Sequence, residues 1–346
     1  MKPIRVVQWG LGAMGSGMVK LMLEKEGLQV VGAIEKRPDA AGKDLGDVVG
    51  LGKQLGVKVS PTHQGILKKA SVDVVLLAID SFTRKCFDAM KAVIEAGIHC
   101  ITIAEEMAEP YAQEPELAKE LDMLAKRFGV VVIGTGINPG YVLDSLVISL
   151  SGVCHNVERI EASRINDLSC FGPTVMKTQG VGTTPEEFAQ GLAMGSIVGH
   201  IGFRESISLI SQALGLGIDR IEEVREPIIS KTDRETPYIK VRAGMVAGCR
   251  HIGIGYRGKN EVVRLIHPQQ IRPEAENVNT GDYINIVGTP GISLSIKPEI
   301  PGGIGTIGIA VNMIPIVKRA SPGLKRMIDL PAPAALMGPT AYERHL

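Results

Sequence analysis

Aromatic residues are scarce in this chain, which has one Trp, six Tyr and six Phe in 346 residues. Its cores must therefore be built from Val, Ile, Leu, Ala and Met. An excess of charge of one sign is also lacking, because 38 Lys and Arg nearly balance 37 Asp and Glu. This balance gives no electrostatic reason to expect a nucleic acid or an anionic membrane as partner.

Paired cysteines and long apolar runs are missing as well. The five cysteines form no CxxC pair and no zinc-like spacing, which is typical of reduced thiols and predicts no metal site. No apolar run approaches the roughly 20 residues of a membrane span. The first residues run straight into a predicted strand and do not resemble a signal peptide. We therefore expect a cytoplasmic protein.

The first third of the chain alternates short apolar runs with helical patterns, which indicates βαβ units and a parallel sheet. A length of 346 residues is comfortable for two domains. Continuous apolar runs such as Val74-Val75-Leu76-Leu77 suit strands buried on both faces. The predicted strands cover 4–9, 30–35, 58–60, 72–79, 100–104 and 130–134, with helices at about 14–25, 84–96 and 115–128.

The sequence pattern changes after Asn138-Pro139-Gly140 and becomes rich in predicted strands and in glycine. Asn138 is expected to cap a helix that runs to about residue 150. Thr184-Pro185-Glu186-Glu187 is a capping box that opens another helix, and further helices are expected at 204–214 and 304–318. The predicted strands here cover 157–166, 238–246, 249–256, 261–267, 282–287 and 292–297. We expect domains at 1–140, with a return helix at about 303–320, and at 141–302, followed by an irregular tail at 321–346.

A glycine-rich turn follows the first strand and opens the first helix: Gly10-Leu11-Gly12-Ala13-Met14-Gly15. Gly10 permits the tight turn, Gly12 lets the backbone approach a pyrophosphate, and Gly15 lets the helix sit close to the strand. Glu35 ends the second strand 20 residues after Gly15, where a carboxylate can bind ribose hydroxyls. The combination predicts a Rossmann domain that binds NAD or NADP.

The preference between the two cofactors stays open in the sequence. Glu35 favours NAD, because a 2′-phosphate would meet its negative charge. Lys36 and Arg37 follow directly and are able to pair with that phosphate, although a solvated loop is an equal alternative. We expect both cofactors to be accepted.

Two strand ends carry the candidate chemistry, since ligands of open α/β sheets collect at the carboxyl ends of strands. Ala78, Ser81 and Thr83 suit a nicotinamide ribose. The adjacent carboxylates Glu105 and Glu106 follow another buried strand, and one of them is expected to take a proton from an ammonium or a water near the nicotinamide. The alternative is that both cap the strand or face solvent.

A second polar set lies in the later strands. By alternation, Ile160, Ala162, Arg164 and Asn166 share one face, which suggests a polar pocket with hydrophobic walls. Arg is the usual bidentate partner of a carboxylate, but Arg164 is equally able to form an internal salt bridge. His267 at a strand end and His200 after Gly199 are further candidates, although lone histidines are more often structural.

Over its whole length the chain resembles the 2,4-diaminopentanoate dehydrogenase family and its relatives, the native amine dehydrogenases. The glycine-rich turn is common to many dehydrogenases, whereas the combination of segments is specific. The segments are Trp9 to Gly15, Gly42-Lys43-Asp44-Leu45-Gly46, Ala104-Glu105-Glu106-Met107, Gly134 to Gly140, Arg164-Ile165-Asn166 and Asn312-Met313-Ile314-Pro315. The resemblance implies an α/β fold, in which a Rossmann domain with a parallel sheet joins a dihydrodipicolinate-reductase-like α+β substrate domain, and it implies a homodimer.

The resemblance further implies NAD(P)-dependent oxidative deamination of 2,4-diaminopentanoate at C4, giving 2-amino-4-oxopentanoate and ammonia. Glu105 would be the carboxylate that handles the amine, although Glu106 matches the same motif. Arg164, Asn166 and His267 would hold the carboxylate and 2-amino end of the diamino acid. His200 and Asn138 are added to the expected substrate contacts, and Asn312 is added to the expected cofactor contacts.

Three alternative functions differ from this expectation. Dihydrodipicolinate reductases carry a His-His pair in their second domain, and this sequence has none. A native amine dehydrogenase acting on ketones without a carboxylate is the nearer alternative. A non-catalytic dinucleotide sensor belongs to another class, and the two abutting glutamates speak against it.

Overall fold

The computed structural model describes residues 2–338 and divides into two compact units. The second unit is Val142–Ile300, and the first comprises the chain up to Tyr141 and again from Pro301. The strands are β1 (Ile4–Trp9), β2 (Leu28–Ile34), β3 (Val59–Ser60), β4 (Val74–Leu77), β5 (His99–Thr102), β6 (Val131–Gly134), β7 (Asn156–Asp167), β8 (Arg220–Ile229), β9 (Arg234–Glu235), β10 (Lys240–Val241), β11 (Val246–Arg257), β12 (Asn260–Gln270), β13 (Gly281–Thr289), β14 (Ile292–Ile296) and β15 (Gly323–Lys325). The helices are α1 (Ala13–Leu23), α2 (Leu45–Val48), α3 (Thr83–Glu95), α4 (Pro115–Phe128), α5 (Ser145–Ser151), α6 (Pro173–Thr178), α7 (Pro185–Ala193), α8 (Phe203–Leu214), α9 (Gly302–Asn312) and α10 (Ile314–Arg319).

The first unit is built on a parallel sheet of seven strands in the order β15-β6-β5-β4-β1-β2-β3. All four residues of β4 are buried, as expected for a strand covered on both faces. One core lies on each side of the sheet, the first including α1 and α9 and the second including α3 and α4. The predicted α/β fold with an N-terminal Rossmann domain is confirmed.

The second unit contains a mixed sheet in the order β14-β13-β7-β12-β11-β8. The pair of β7 and β12 is parallel and the other pairs are antiparallel. The capping box of Thr184 and Glu187 is present at the start of α7. This arrangement is the α+β domain that the family resemblance implied.

The helix expected directly after Asn138-Pro139 was placed wrongly. Asn138 and Pro139 lie in a turn, and α5 begins only at Ser145. The cap is supplied by Asp144, whose fully buried side chain accepts hydrogen bonds from the Ser145 amide and from the hydroxyl of Ser206. Asp144 directly precedes α5 and caps it, whereas Asn138 lies six positions too early to do so.

Two further expectations needed correction in the second unit. The region 238–246 holds the two-residue strand β10, paired with β9, and the first residue of β11. Strand β8 was missed, because its charged residues and Pro227 do not look like a strand. The charged residues and Pro227 are tolerated in β8 because this strand lies at an edge of the sheet.

The last part of the chain also differs from expectation. The return helix at 304–318 is two helices, α9 and α10, and both belong to the first unit. The segment expected to be an irregular tail begins with β15, which pairs with β6. Residues 330–338 contain no helix or strand, and the rest of the predicted tail, 339–346, lies outside the described residues.

Candidate active site

The glycine-rich turn has the geometry that a dinucleotide phosphate needs. Gly10 has a φ of 91°, and a side chain on it would collide with the Ala78 carbonyl oxygen. A side chain on Gly15 would collide with the carbonyl of Gly10. Gly12, by contrast, has nothing within 4 Å of the position a Cβ would take. Open space therefore lies beside the start of α1, where free helix amides and the helix dipole favour an anion.

A cavity of about 760 Å³ opens at the carboxyl ends of β1, β2 and β4 within the first unit. This volume lies in the range of cofactor and ligand pockets. The indole of Trp9 and the imidazole of His63 stack in its wall at a centroid distance of 5.5 Å. The other lining residues that bear on a cofactor are Gly10, Gly12, Glu35, Lys36, Arg37 and Ala78.

Glu35 is tied to the glycine-rich turn. Its carboxylate accepts hydrogen bonds from the amide of Leu11 at 2.7 Å and from the amide of Arg37 at 3.0 Å. The Arg37 guanidinium donates to the Leu11 carbonyl at 3.3 Å and pairs with Asp39 at 3.2 Å. Glu35 and Arg37 thus stand side by side at the same wall, while exposed Lys36 also lines the cavity.

The three small residues after β4 have separate environments. Ala78 lines the cavity. The hydroxyl of Ser81 is hydrogen-bonded to the Glu105 carboxylate. Thr83 is buried at the start of α3, and its hydroxyl has no hydrogen-bond partner among residues 2–338. Only Ala78 of the three borders the cavity in this structure.

Glu106 has a structural partner. Its carboxylate accepts a hydrogen bond from the amide of Thr83, the first residue of α3, at 2.8 Å, and its own amide donates to the Ser81 carbonyl. The position before the helix is Phe82, whose side chain makes no cap hydrogen bond. Glu106 therefore supplies the missing cap from another strand end, where its negative charge also suits the helix dipole.

Glu105 is half-buried at the start of a single 3-10 turn that follows β5. Burial raises the pKa of this carboxyl above its ordinary value of 4.5, and the nearby charges of Asp80 and Glu106 act in the same direction, while the hydrogen bond from Ser81 opposes them. Asp80 lines the cavity. Neither Glu105 nor Glu106 is among the residues that line the cavity. A half-buried carboxyl with a raised pKa nevertheless has the properties of a candidate general base.

The two asparagines occupy different places. Asn138 is half-buried in the turn after β6. Asn312 lines a second cavity of about 380 Å³ in the first unit and is absent from the lining of the larger one. A cofactor role for Asn312 is therefore not supported by the cavity that borders the glycine-rich turn.

The alternating face predicted in β7 is present, since Ile160, Ala162, Arg164 and Asn166 are all buried. Arg164 is 1% exposed and forms an ion pair of 2.7 Å with Asp282, which is equally buried. A second nitrogen of the guanidinium donates to the Ile300 carbonyl. Arg164 thus forms the internal salt bridge considered as an alternative, and a role in binding substrate stays a prediction.

The other predicted residues of the second unit lie together. His267 Nε2 donates a hydrogen bond to Asn166 Oδ1 at 2.9 Å, and the His267 ring meets that of His200 edge-on at 4.8 Å. Burial lowers the pKa of His267 well below its ordinary value and that of His200 to about 3, so both rings are neutral at pH 7. Neutral imidazoles act as hydrogen-bonding groups here and carry no charge.

Sequence reasoning missed four charged or titratable residues. In the second unit these are Asp282 next to Arg164 in the strand register, His251 next to His267, and Glu223, which contacts His251. In the first unit Glu109 is fully buried and pairs with Arg326. Each depends on a contact between distant segments. The one available signal was alternation in β13, which places Asp282 on a buried face.

The described residues 2–338 contain no group of three or more His, Cys, Asp or Glu side chains able to hold a metal ion. Within the same residues, none of the helices combines the length and apolarity needed to cross a bilayer.

Comparisons with known proteins agree with these features. The family model described as "2,4-diaminopentanoate dehydrogenase C-terminal domain" matches residues 141–345. The model described as "Dihydrodipicolinate reductase, N-terminus" matches residues 4–105. Together the two models cover both units of the fold.

Individual relatives span nearly the whole chain. The 2,4-diaminopentanoate dehydrogenase of Acetoanaerobium sticklandii is 49% identical over 98% of this chain and 96% of its own length. The solved amine dehydrogenase of Mycobacterium smegmatis is 29% identical with a TM-score of 0.84, covering 96% of this chain and 98% of that one. A dihydrodipicolinate reductase from Paenisporosarcina sp. TG-14, 12% identical with a TM-score of 0.50 over 94% of this chain and 97% of that one, shares the fold alone.

The two-unit α/β fold accords with these relatives. The match over more than half of the chain and the 49% identity are sufficient to assign it. The chain belongs to the 2,4-diaminopentanoate dehydrogenase family, a family of oxidoreductases with a dinucleotide-binding fold.

Proposed function

We propose that the protein catalyses the NAD(P)-dependent oxidative deamination of 2,4-diaminopentanoate at C4, giving 2-amino-4-oxopentanoate and ammonia. The observation that carries this proposal is Glu105, a half-buried carboxyl with a raised pKa at the same sheet edge as the glycine-rich turn. The 49% identity to a protein with this activity in its name gives independent support.

The cavity beside Gly12 fits a dinucleotide. Gly10, Leu11, Gly12, Ala13, Met14 and Gly15 would hold the pyrophosphate, because the first amides of α1 have no partner within the helix and Gly12 leaves open space beside them. The amides of Gly10 and Leu11 are already bonded, to the Ile34 carbonyl and to Glu35, so these two residues would shape the turn. Glu35 would bind the adenosine ribose, and Lys36 with Arg37 would accept a 2′-phosphate. When bound, the dinucleotide supplies the acceptor for the hydride that leaves C4. Because Glu35 and Arg37 line the same wall, we propose that both NAD and NADP are used.

Glu105 would first take a proton from the C4 ammonium of the substrate. An ammonium has no lone pair to assist departure of a hydride, so the neutral amine is the reactive form. A base is most effective when its pKa lies near the working pH, and burial moves Glu105 in that direction. The hydrogen bond from Ser81 would hold the carboxylate in place.

The same carboxylate would serve the second half of the reaction. Glu105 would release the ammonium proton to solvent and so become a carboxylate again. Loss of hydride leaves a cationic iminium at C4, and this nearby negative charge stabilises the positive charge as it develops. Glu105 would then take a proton from the water that adds to C4. Ammonia leaves as the carbonyl forms, so one water is consumed and one proton is released for each ammonium ion produced.

The second unit would bind the amino-acid end of the substrate. The Arg164 guanidinium is fixed by Asp282 and by the Ile300 carbonyl, which use two of its five N–H groups. The remaining N–H groups would bind the C1 carboxylate, with Asn166, His267 and His200 beside them. Asn138 is a further proposed contact. A guanidinium fixed in advance loses little entropy on binding.

Assembly and location complete the proposal. We propose that residues 141–302 form the substrate-binding and dimerisation domain of a homodimer in the cytoplasm, with 1–140 and the return helices as the cofactor domain. The family resemblance and the absence of any membrane-spanning helix in residues 2–338 support this. Sedimentation of the purified protein tests the oligomeric state.

A substrate panel tests the reaction itself. Formation of reduced cofactor is measured with 2,4-diaminopentanoate, ornithine, alanine and simple alkyl amines, each with NAD and with NADP. The proposal expects diaminopentanoate to exceed the others in kcat/KM. The likeness to an amine dehydrogenase structure makes alkyl amines the second candidates. Turnover of alkyl amines without turnover of diaminopentanoate would replace our proposal with that alternative.

A further inference from the structure

The segment 198–200 of the second unit is held by three side chains from other elements. The Val198 carbonyl accepts a hydrogen bond from Arg225 Nε at 2.7 Å. The Gly199 carbonyl accepts one from Gln179 Nε2 at 2.9 Å. The amide of His200 donates to His251 Nδ1 at 3.0 Å. The segment lies in neither a helix nor a strand, so these bonds replace the regular ladder that would otherwise fix it.

The hydrogen bond from the His200 amide determines which nitrogen of His251 carries the proton. Because Nδ1 of His251 accepts the His200 amide, the proton of the neutral ring must sit on Nε2, which lies 2.9 Å from an oxygen of the Glu223 carboxylate. His251 is fully buried, and burial lowers its pKa, so the ring is neutral at pH 7. Glu223 thereby fixes both the tautomer and the orientation of the ring that holds His200.

Glu223 lies on the edge strand β8 and gathers several donors. Arg225 and Arg204 each donate to it at 2.9 Å, in addition to His251. Burial opposes ionisation of Glu223, but the hydrogen bond from His251 and the charges of the two arginines outweigh it and lower its pKa to about 2. The carboxylate therefore remains ionised and in place at any pH at which the enzyme would work.

The position of the backbone at residue 200 determines where the His200 imidazole lies. The His200 ring packs between two aromatic rings, with centroid distances of 4.8 Å to His267 and 4.9 Å to Phe203. Phe203 also contacts His251 at 4.8 Å. His267 in turn is hydrogen-bonded to Asn166. A shift of the 198–200 segment would move the His200 ring relative to His267 and Asn166.

We propose that Glu223 and His251 are positioning residues that hold His200 against His267 and so set the affinity for the amino-acid end of the substrate. The inference rests on the proposed function, since it takes His200 and His267 to be substrate contacts. Neither Glu223 nor His251 is required to touch the substrate. Their effect is on the KM for diaminopentanoate and not on proton transfer at C4, which belongs to the first unit.

A matched pair of substitutions separates the two hydrogen bonds of His251. In His251→Asn the amide oxygen takes the place of Nδ1, so the acceptor for the His200 amide is retained. In His251→Gln the amide lies near the position of Nε2, so the contact with Glu223 is retained and the acceptor for His200 is lost. Arg204→Gln is the control, because Arg204 is half-exposed and bonds to Glu223 without a hydrogen bond to 198–200 among the described residues.

We expect His251→Gln to raise the KM for diaminopentanoate roughly 10-fold or more, as a misplaced binding group does. The KM for the cofactor and the kcat should change by less than about twofold, which is the signature of lost substrate binding. His251→Asn should restore most of the lost affinity, and Arg204→Gln should match the wild type. A ¹⁵N NMR spectrum of the wild-type histidines should show His251 protonated on Nε2.

Three outcomes are distinguishable. If His200→Ala raises the KM but His251→Gln does not, the positioning role is overturned and the proposed function stands. If neither variant alters the KM for diaminopentanoate while turnover remains, the assignment of the second unit's substrate contacts is wrong. If His251→Gln fails to fold, the inference is judged by His251→Asn and by NMR, and protonation on Nδ1 in the wild type overturns it.

Discussion

Glu106 and Thr83 are joined by a hydrogen bond of 2.8 Å that runs from the start of α3 to the carboxylate at the end of a neighbouring strand. This contact divides the work between two adjacent glutamates. Glu106 stabilises a helix start that lacks a cap of its own. Glu105, whose pKa is raised by burial, is the proposed general base.

Replacing each glutamate by glutamine tests this division. Glu105→Gln should lower kcat by roughly 100-fold or more, because the base is lost while the shape of the side chain is kept. Glu106→Gln keeps an oxygen for the Thr83 amide and should lower kcat only a few-fold. Steady-state rates of cofactor reduction, with cofactor binding measured separately by fluorescence, give the comparison. A dead Glu106→Gln and an active Glu105→Gln would reverse the two roles.

The raised pKa of Glu105 predicts a pH-dependent cost in stability. The folded protein holds this proton to a higher pH than the unfolded chain, whose carboxyl has the ordinary value of 4.5. Stability from this group is therefore lost as pH rises from the unfolded pKa of 4.5 through the raised pKa of the folded protein. The ionised form of Glu105 therefore destabilises the folded protein at pH 7. Glu105→Gln should raise the Tm by a few degrees at pH 7 and by less near pH 4. Thermal melts at both values are the measurement, and an equal shift at the two would contradict the cause given.

The same shift has a kinetic consequence. Because only ionised Glu105 can accept the ammonium proton, kcat should fall as pH is lowered through its raised pKa, above the ordinary 4.5. This acid limb should disappear from the residual activity of Glu105→Gln. Persistence of the limb in that variant would assign it to another group.

The wall shared by Glu35 and Arg37 predicts how cofactor preference is controlled. Arg37→Gln removes a positive charge beside the ribose site and should lower kcat/KM for NADP by roughly 10-fold, with little change for NAD. Its guanidinium is half-exposed and pairs with Asp39 at 3.2 Å and with Glu35 at 3.7 Å, so the stability should hardly change. Asp39→Asn is the matched control and should leave the preference nearly intact. A parallel loss with both cofactors would show that Arg37 does not contact the 2′-phosphate.

Much of the fold follows from local patterns. Apolar runs separated by helical periods identify the six first strands, because strands in a parallel sheet are buried on both faces. Alternation in β7 places Arg164 and Asn166 on one buried face. The glycine-rich turn with Glu35 after the next strand predicts the position of the cofactor site, since these positions follow from backbone requirements that only a few residue types meet.

Other features depend on contacts that no local pattern encodes. Asp282 reaches Arg164 across 118 positions of sequence, and Glu106 caps a helix that begins 23 positions earlier. Strand β8 is recognised as a strand only once β11 provides its partner. In each case a tertiary contact outweighs local propensity, which is why the sequence alone does not distinguish an internal ion pair of Arg164 from a substrate contact.

The last prediction concerns the buried ion pair of Arg164 and Asp282. Substitutions in this pair distinguish binding of the substrate's C1 carboxylate from stabilisation of the second unit. Asp282→Asn leaves a buried guanidinium without its counter-charge and should destabilise the protein by about 3 kcal/mol, measured by urea unfolding. Arg164→Lys keeps a positive charge but loses the planar fork, so the KM for diaminopentanoate should rise roughly 10-fold or more.

The activity of Arg164→Lys on an alkyl amine without a carboxylate is the internal control. An anchor for the C1 carboxylate predicts that this activity, where the wild type has it, is unchanged, because such a substrate never used the guanidinium. A purely structural ion pair predicts equal losses with both substrates together with a lowered Tm, since a disturbed sheet affects every reaction alike. The ratio of the two kcat/KM values therefore decides whether Arg164 binds the substrate or only stabilises the second unit.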